Sequence, residues 1–151
     1  MKKKSWRKQE MKNMRILIDT NVIVDFILKR NHFSDDAEKI IELCIEEKLQ
    51  GCIAAHSIPN LFYILRKYLT VEERKDILLR VCKIFTVVGI DINKLNSALQ
   101  NNDFNDFEDC LQVECAKDFD ADFIVTRDMD DFISSIIPVI KPVELIKMLS
   151  K

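Results

Sequence analysis

Acidic residues occur at three places where the sequence pattern changes, and their arrangement favours metal-dependent chemistry. Asp19 and Asp128 each follow a short apolar run, whereas Asp106 and Asp109 begin a segment with helical spacing. Carboxylates that lie close together raise each other's pKa values unless a cation lies between them. Because hard cations prefer oxygen ligands, Mg²⁺ or Mn²⁺ would relieve this repulsion. A cation held by few carboxylates can orient a phosphodiester and help to generate hydroxide for in-line attack.

Each acid also has a structural alternative when it is considered alone. Asp19 could cap the helix that follows it, and Asp106 is well placed as an N-cap, with Asp109 interacting with the helix dipole. Asp128 could be a turn residue. The metal site is the stronger interpretation because all three acidic groups fall at one edge of the predicted sheet.

Other catalytic chemistries find little support in the sequence. With only Gly51 and Gly89, the chain has no glycine-rich phosphate loop, and it has no G-x-S-x-G elbow. Two histidines, His32 and His56, argue against histidine acid–base catalysis and against a zinc site of the usual spacing. The five cysteines form no C-x-x-C pair, which is typical of free buried thiols.

Charge and length indicate one domain with a basic arm. Seven basic residues and one acid give residues 1–15 a net charge of +6, so the remainder carries −8 of the total −2. We interpret residues 1–14 as an arm, disordered or helical, and residues 15–151 as the domain. No apolar run is long enough for a membrane span and no secretory signal is recognisable, so we expect a cytoplasmic protein.

Short apolar runs alternate with helical patterns along the chain. Strands are predicted at residues 15–19, 52–55, 85–90, 123–126 and 138–140. Helices are predicted at residues 20–28, 34–45, 57–68, 70–84, 91–99, 106–118 and 142–149, with Ser34 or Asp35 as an N-cap and Tyr68 facing inward. This alternation predicts an α/β fold with a parallel sheet covered on both faces. Ligands of such sheets bind beyond the carboxyl ends of the strands.

Three sequence segments resemble motifs of PIN domains. Residues 14–25 (MRILIDTNVIVD) resemble the opening of these domains, residues 106–111 (DFEDCL) their central acidic helix start, and residues 124–132 (IVTRDMDDF) their closing segment. The resemblance implies a three-layer α/β/α Rossmann-like fold with a central parallel sheet of four to five strands. It also implies a Mg²⁺- or Mn²⁺-dependent ribonuclease. Many bacterial relatives are VapC-like toxins, held inactive by a cognate antitoxin and often dimeric.

The resemblance also assigns roles to individual residues. The metal carboxylates that it implies are Asp19, Asp109 and Asp128. The accessory residues are Asp106 together with two that would orient the acids through hydrogen bonds, Asn21 and Thr126. Asp25, further along the first helix, is interpreted as structural.

One position departs from the family pattern. PIN domains usually carry a glutamate on the helix after the second strand, but this chain has Asn60 there and no acid before Glu72. A PIN subgroup shows the same pattern. Asparagine offers a carbonyl oxygen but no charge, so the substitution lowers the expected metal affinity. The alternative is that Asn60 is a surface amide.

Basic residues near the predicted site are candidates for phosphate contacts. These are Arg66, Lys67 and Arg127, and Arg127 is the most attractive because it lies between Thr126 and Asp128. The alternative is surface charge without a specific role.

We therefore expect a metal-dependent endoribonuclease that cleaves RNA phosphodiester bonds as the toxin of a toxin–antitoxin pair. Its partners would be RNA, an antitoxin and a second copy of the chain, without a membrane. The main alternative is a PIN-like module with weak or no catalysis that binds RNA or protein. A metal-dependent phosphatase or DNA nuclease using the same acids is a weaker option.

Overall fold

A five-stranded parallel sheet forms the centre of the molecule in the computed structural model, which describes residues 13–30 and 32–150. The strands lie in the order β3-β2-β1-β4-β5, so β1 is central. Their bounds are β1 Arg15–Ile18, β2 Gln50–Ala54, β3 Thr86–Val88, β4 Phe123–Val125 and β5 Val139–Ile140. Leu17 of β1 pairs with Cys52 on one side and Ile124 on the other.

Among the described residues, six α-helices lie between the strands and a seventh follows the last strand. They are α1 Thr20–Leu28, α2 Ser34–Ile45, α3 Ser57–Ile64, α4 Val71–Ile84, α5 Ile92–Gln100, α6 Phe107–Asp118 and α7 Pro142–Leu149. Short 3₁₀ turns follow at Leu65–Lys67 and Met129–Phe132. No helix of the described part of the chain is long and apolar enough to cross a bilayer.

Helices cover both faces of the sheet, as the apolar composition of β1 requires. Ile16 and Ile18 pack into one hydrophobic cluster with residues of α1, α2 and α7, whereas Leu17 packs into a second cluster with residues of α6. Successive side chains of a strand point to opposite faces, so a continuous apolar run is buried twice. The predicted α/β class is confirmed, with five strands in the sheet.

Side-chain caps begin most of the helices that the sequence predicted. Thr70 and Glu73 form a reciprocal capping box at α4, and Asp91 accepts a hydrogen bond from Lys94 N at α5. The expectation for α2 was wrong: its N-cap is Phe33, without a side-chain hydrogen bond, and Ser34 is already helical.

Tyr68 differs from the prediction as well. Its side chain is 62% exposed instead of facing inward. The α-helix ends at Ile64 and a tighter 3₁₀ turn follows, so the helical spacing that pointed Tyr68 towards the core no longer applies.

The described structure begins close to the boundary of the predicted arm. Residues 1–12 lie outside the described residues, and with them most of the arm predicted for residues 1–14. Met14 is fully buried, and its carbonyl oxygen accepts a hydrogen bond from Gln50 N at 2.9 Å. The packed domain therefore includes Met14.

Candidate active site

Asp19 lies at the junction between the central strand β1 and helix α1. It is the N-cap of α1, and its Oδ1 accepts a hydrogen bond from Thr20 N at 2.8 Å. Its own backbone N–H donates to the Val125 carbonyl at 3.0 Å, which ties this junction to β4. The carboxylate is thus fixed at the carboxyl end of the sheet, where parallel α/β proteins bind ligands.

Two further side chains hold the Asp19 carboxylate. Gln112 Nε2 donates to Oδ1 at 2.7 Å, and Thr126 Oγ1 donates to Oδ2 at 2.7 Å. Asp19 is only 7% exposed, and burial raises its pKa, an effect that these hydrogen bonds oppose. The carboxylate is consequently held in one orientation by a side chain of α6 and by the residue that follows β4.

Asp128 lies just after β4, beside the same hydrogen-bond network. Its backbone N–H donates to Thr126 Oγ1 at 3.0 Å, and its Oδ2 accepts from Asn21 Nδ2 at 3.1 Å. Thr126 therefore contacts both acids, since its Oγ1 also donates to Asp19 Oδ2, and Asn21 contacts Asp128. Asp128 is exposed, in contrast to Asp19.

Asp106 and Asp109 lie at the start of α6. Asp106 is the N-cap, and its Oδ1 accepts a hydrogen bond from Asp109 N at 3.0 Å. Asp109 is half-buried. Burial raises its pKa to about 7, with further increases from the negative charges of Asp106, Asp131 and Asp19. By capping the helix, Asp106 fixes the position of Asp109, whose surroundings disfavour its charged form.

A cleft of about 410 Å³ is lined by both Asp19 and Asp109, whereas Asp106, Thr126 and Asp128 do not contribute to its lining. Its lining includes the predicted residues Asp19, Asn21, Asn60 and Asp109, together with Thr20, Val24, Arg30, His56, Tyr63, Ile64, Glu108, Gln112 and Asp131. A larger depression of about 810 Å³ is lined by residues such as Arg15, Gln50 and Thr86. It contains none of the predicted site residues, so the smaller cleft is the candidate site.

Several residues of the cleft were not identified from the sequence. Gln112 reaches Asp19 from a position 93 residues away, and no local pattern indicates that contact. His56 was set aside with the other histidine, yet it lines the cleft. Its Nδ1 is buried without a hydrogen-bond partner among the described residues, and burial lowers its pKa. The only signal for His56 was its position two residues after β2, at the carboxyl edge of the sheet.

The predicted phosphate-binding residues lie outside the lining of the cleft. Arg127 donates from Nε to Asp25 Oδ2 at 2.5 Å and from Nη2 to Oδ1 at 3.2 Å, and its guanidinium lies 4.2 Å from the centre of the Phe33 ring. Arg66 stacks on the ring of Tyr63, a cleft residue, at 3.6 Å, and Lys67 is exposed. Arg127 is therefore engaged in an internal ion pair, whereas Arg66 lies beside the cleft.

The donor chemistry of the cleft suits a hard cation that keeps bound water. Within residues 13–30 and 32–150, no group of three or more His, Cys, Asp or Glu side chains lies close enough together to hold a metal ion as it stands. The Oε1 of Gln112 and the Oδ1 of Asn21 are buried without a hydrogen-bond partner in that part of the chain. These oxygens, with the carboxylates of Asp19 and Asp109, fit a cation that prefers oxygen.

The fold and the acidic cleft define an α/β protein of the type that binds ligands at the carboxyl edge of a parallel sheet. Residues 15–130 match the family model described as PIN domain, and the chain belongs to this family. Members of the family are typically metal-dependent nucleases. No curated protein matches the sequence.

Solved structures with low sequence identity share the fold. VapBC2 from Rickettsia felis bound to a DNA fragment from its promoter is 18% identical, with a TM-score of 0.63, and the match covers 85% of this chain and 98% of that one. A toxin–antitoxin complex from Klebsiella pneumoniae is 19% identical, with a TM-score of 0.64 and coverage of 84% and 97%. PAE2754 from Pyrobaculum aerophilum is 14% identical, with a TM-score of 0.59 and coverage of 91% of both chains.

Proposed function

We propose that this protein is a Mg²⁺- or Mn²⁺-dependent endoribonuclease. The observation that carries the proposal is the carboxylate of Asp19, which three hydrogen-bond donors orient at the edge of a cleft that Asp109 also lines. Buried acids with raised pKa values are typical of functional sites. Membership of the PIN family supports a nuclease.

The proposed cation ligands are the carboxylates of Asp19, Asp109 and Asp128. When bound, the cation would polarise the scissile phosphate and lower the pKa of the attacking water. Gln112 and Thr126 keep the Asp19 carboxylate in place, and Asn21 does the same for Asp128. The cap at Asp106 holds the first turn of α6, and with it Asp109.

RNA is the proposed substrate. Tyr63 is 62% exposed and lines the cleft, so its ring can stack on an unpaired base. Arg30 lines the cleft, Arg66 stacks on the ring of Tyr63, and Lys67 follows Arg66 on the exposed surface. We propose Arg30, Arg66 and Lys67 as phosphate contacts. Arg127 is a weaker candidate because Asp25 already neutralises it.

The physiological role that we propose is that of a toxin with a cognate antitoxin. Two of the structural relatives are a VapBC2 assembly on DNA and a complex of toxin with antitoxin. These assemblies support an antitoxin as the proposed partner. A second copy of the chain is a further proposed partner.

RNA cleavage by the purified protein tests the proposal directly. We expect cleavage of single-stranded RNA with Mn²⁺, its loss in EDTA, and a loss of at least 100-fold in Asp19→Asn. Glu72→Gln, which removes an exposed acid of α4 outside the cleft, is the matched control and should cleave normally. Cleavage that survives both EDTA and Asp19→Asn would refute a metal-dependent mechanism at this site.

A non-catalytic PIN-like module is the second candidate function. The observation that favours it is Asn60, which stands where the family usually has an acid and which donates its amide to Glu108 at 3.2 Å. Calorimetric titration with Mn²⁺ separates the two functions. Mn²⁺ binding that Asp128→Asn abolishes supports the nuclease, whereas the absence of Mn²⁺ binding together with RNA binding supports the module.

A further inference from the structure

Glu108 is an acidic residue of the cleft to which the sequence pattern assigned no role. It occupies the second position of α6, directly before Asp109, and its side chain is exposed. An acid in the first turn of a helix is often explained by the helix dipole alone. Glu108 has more specific surroundings than that, because it lines the cleft together with Asp19 and Asp109.

The hydrogen-bond partner of Glu108 is the residue at the unusual position. Asn60 Nδ2, on α3, donates to Glu108 Oε2 at 3.2 Å. The two residues are separated by 48 positions in sequence, and they meet across the cleft between α3 and α6. A glutamate at position 60 would place a second carboxylate against Glu108, whereas the asparagine amide supplies a donor that the carboxylate needs.

Glu108 also lies close to other polar groups of the site. Burial lowers the pKa of His56, and among the acids whose charge raises it Glu108 has the largest effect; the charge of Glu108 also contributes to the raised pKa of Asp109. The same cleft contains Gln112, which is 4% exposed and whose Oε1 has no hydrogen-bond partner among the described residues. A buried oxygen of this kind needs a hydrogen-bond donor or a cation, and a cation would also neutralise the carboxylates that line the same cleft.

We propose that Glu108 supplies the acidic group that position 60 lacks, with Asn60 as the donor that holds it towards the cation. This inference rests on the proposed metal site of Asp19, Asp109 and Asp128. The fourth carboxylate is thus supplied by α6 instead of α3. Asn60 then lowers neither the number of acids nor the charge that the cleft offers to a cation.

Removing the acid from position 108 and restoring an acid at position 60 tests this proposal, with Mn²⁺ affinity as a readout independent of catalysis. Calorimetry measures the dissociation constant of Mn²⁺ for the full chain and its variants. Glu108→Gln should weaken Mn²⁺ binding by about 10- to 100-fold, the range seen when residues that support metal ligands are removed. The double variant Asn60→Glu with Glu108→Gln, which returns the acid to α3, should recover an affinity close to the original.

The control is Glu72→Gln, because Glu72 is an exposed acid at the second position of α4 and does not line the cleft. It should leave Mn²⁺ affinity unchanged. Thermal unfolding in EDTA should show that all variants are folded. Equal Mn²⁺ affinities of Glu108→Gln and Glu72→Gln, or a double variant as weak as Glu108→Gln, would overturn the proposal.

Asp19→Asn separates this inference from the proposed function. If Asp19→Asn abolishes Mn²⁺ binding while Glu108→Gln behaves like the control, only the role of Glu108 is wrong. If Mn²⁺ binding is unaffected by Asp19→Asn as well, the metal site itself is wrong, and with it the role of Glu108.

Discussion

Removal of the Arg127 side chain should destabilise the protein strongly, because it would leave a buried carboxylate without its main partner. Asp25 is only 1% exposed, and Arg127 contacts both of its oxygens. Among the described residues, the other cation within 4 Å of Asp25 is Arg30, whose Nη1 is 3.8 Å from Oδ1. That distance exceeds hydrogen-bond length, so Arg30 cannot replace the two bonds of Arg127.

The expected magnitude for Arg127→Ala follows from the cost of an unpaired buried charge. Removing one partner of a buried ion pair typically costs about 3–5 kcal/mol, and here the lower end applies because Arg127 is 23% exposed. The total free energy of unfolding of a domain is about 5–15 kcal/mol. At about 2–4 °C per kcal/mol for a chain of this length, Tm should fall by about 10 °C.

Urea unfolding and calorimetry measure this effect. The proteins compared are the wild type, Arg127→Ala, Asp25→Leu and the double variant Asp25→Leu/Arg127→Met. The double variant removes both charges and replaces them with apolar groups, so it should be markedly more stable than Arg127→Ala. A destabilisation below about 1 kcal/mol in Arg127→Ala, or a double variant no more stable than the single ones, would refute the reasoning.

Three further predictions concern other parts of the molecule. Thr70→Ala removes the hydrogen bond from Glu73 N and should cost about 1 kcal/mol in urea unfolding, whereas Thr86→Ala, on an exposed position of β3, should cost less. Gly51→Ala should destabilise by about 1–3 kcal/mol, because the added methyl group would lie 2.9 Å from Cys44 Sγ and from Phe85 Cδ1; a neutral Tm would contradict it. In EDTA, the free energy of unfolding should fall by about 1–2 kcal/mol as the pH rises from about 4 to about 7. The pKa of Asp109 is about 7 in the folded state against 3.8 in the unfolded state, so the folded state binds the proton of Asp109 more tightly. Asp109→Asn should remove this fall, and an unchanged pH profile in that variant would contradict the assignment.

The elements of the fold were largely predictable because their signals are local. The apolar run of β1 indicates burial on both faces, and the caps at Thr70, Asp91 and Asp106 mark the starts of α4, α5 and α6. Where the local signal was ambiguous, as at the start of α2, the prediction of Ser34 or Asp35 as the cap was wrong by one or two residues. Helix ends depend on a few hydrogen bonds that several neighbouring residues can supply.

The location of the candidate site was predictable for a different reason. Asp19 and Asp128 follow β1 and β4, and parallel strands bring their carboxyl ends to one edge of the sheet. Topology alone therefore joins two acids that are more than one hundred positions apart in the chain. No knowledge of side-chain packing is needed for that step.

The partners of these acids required the tertiary structure. Gln112 contacts Asp19, and Asn60 contacts Glu108, only because each helix has a particular rotation against the sheet and its neighbours. Arg127 contacts Asp25 because the segment after β4 packs against α1. Helical spacing identifies which residues share a face, but it does not determine which residue of that face meets a given side chain across an interface.

The sequence by itself thus determined the parallel α/β fold and the sheet edge at which Asp19 lies, since both follow from short-range patterns and strand direction. Only the tertiary structure decided that Asn60, which stands where the family usually has an acid, contacts Glu108. That contact depends on the packing of α3 against α6 across the cleft. The tertiary structure also decided that Arg127 forms an ion pair with Asp25, because only the folded chain brings the end of β4 against α1.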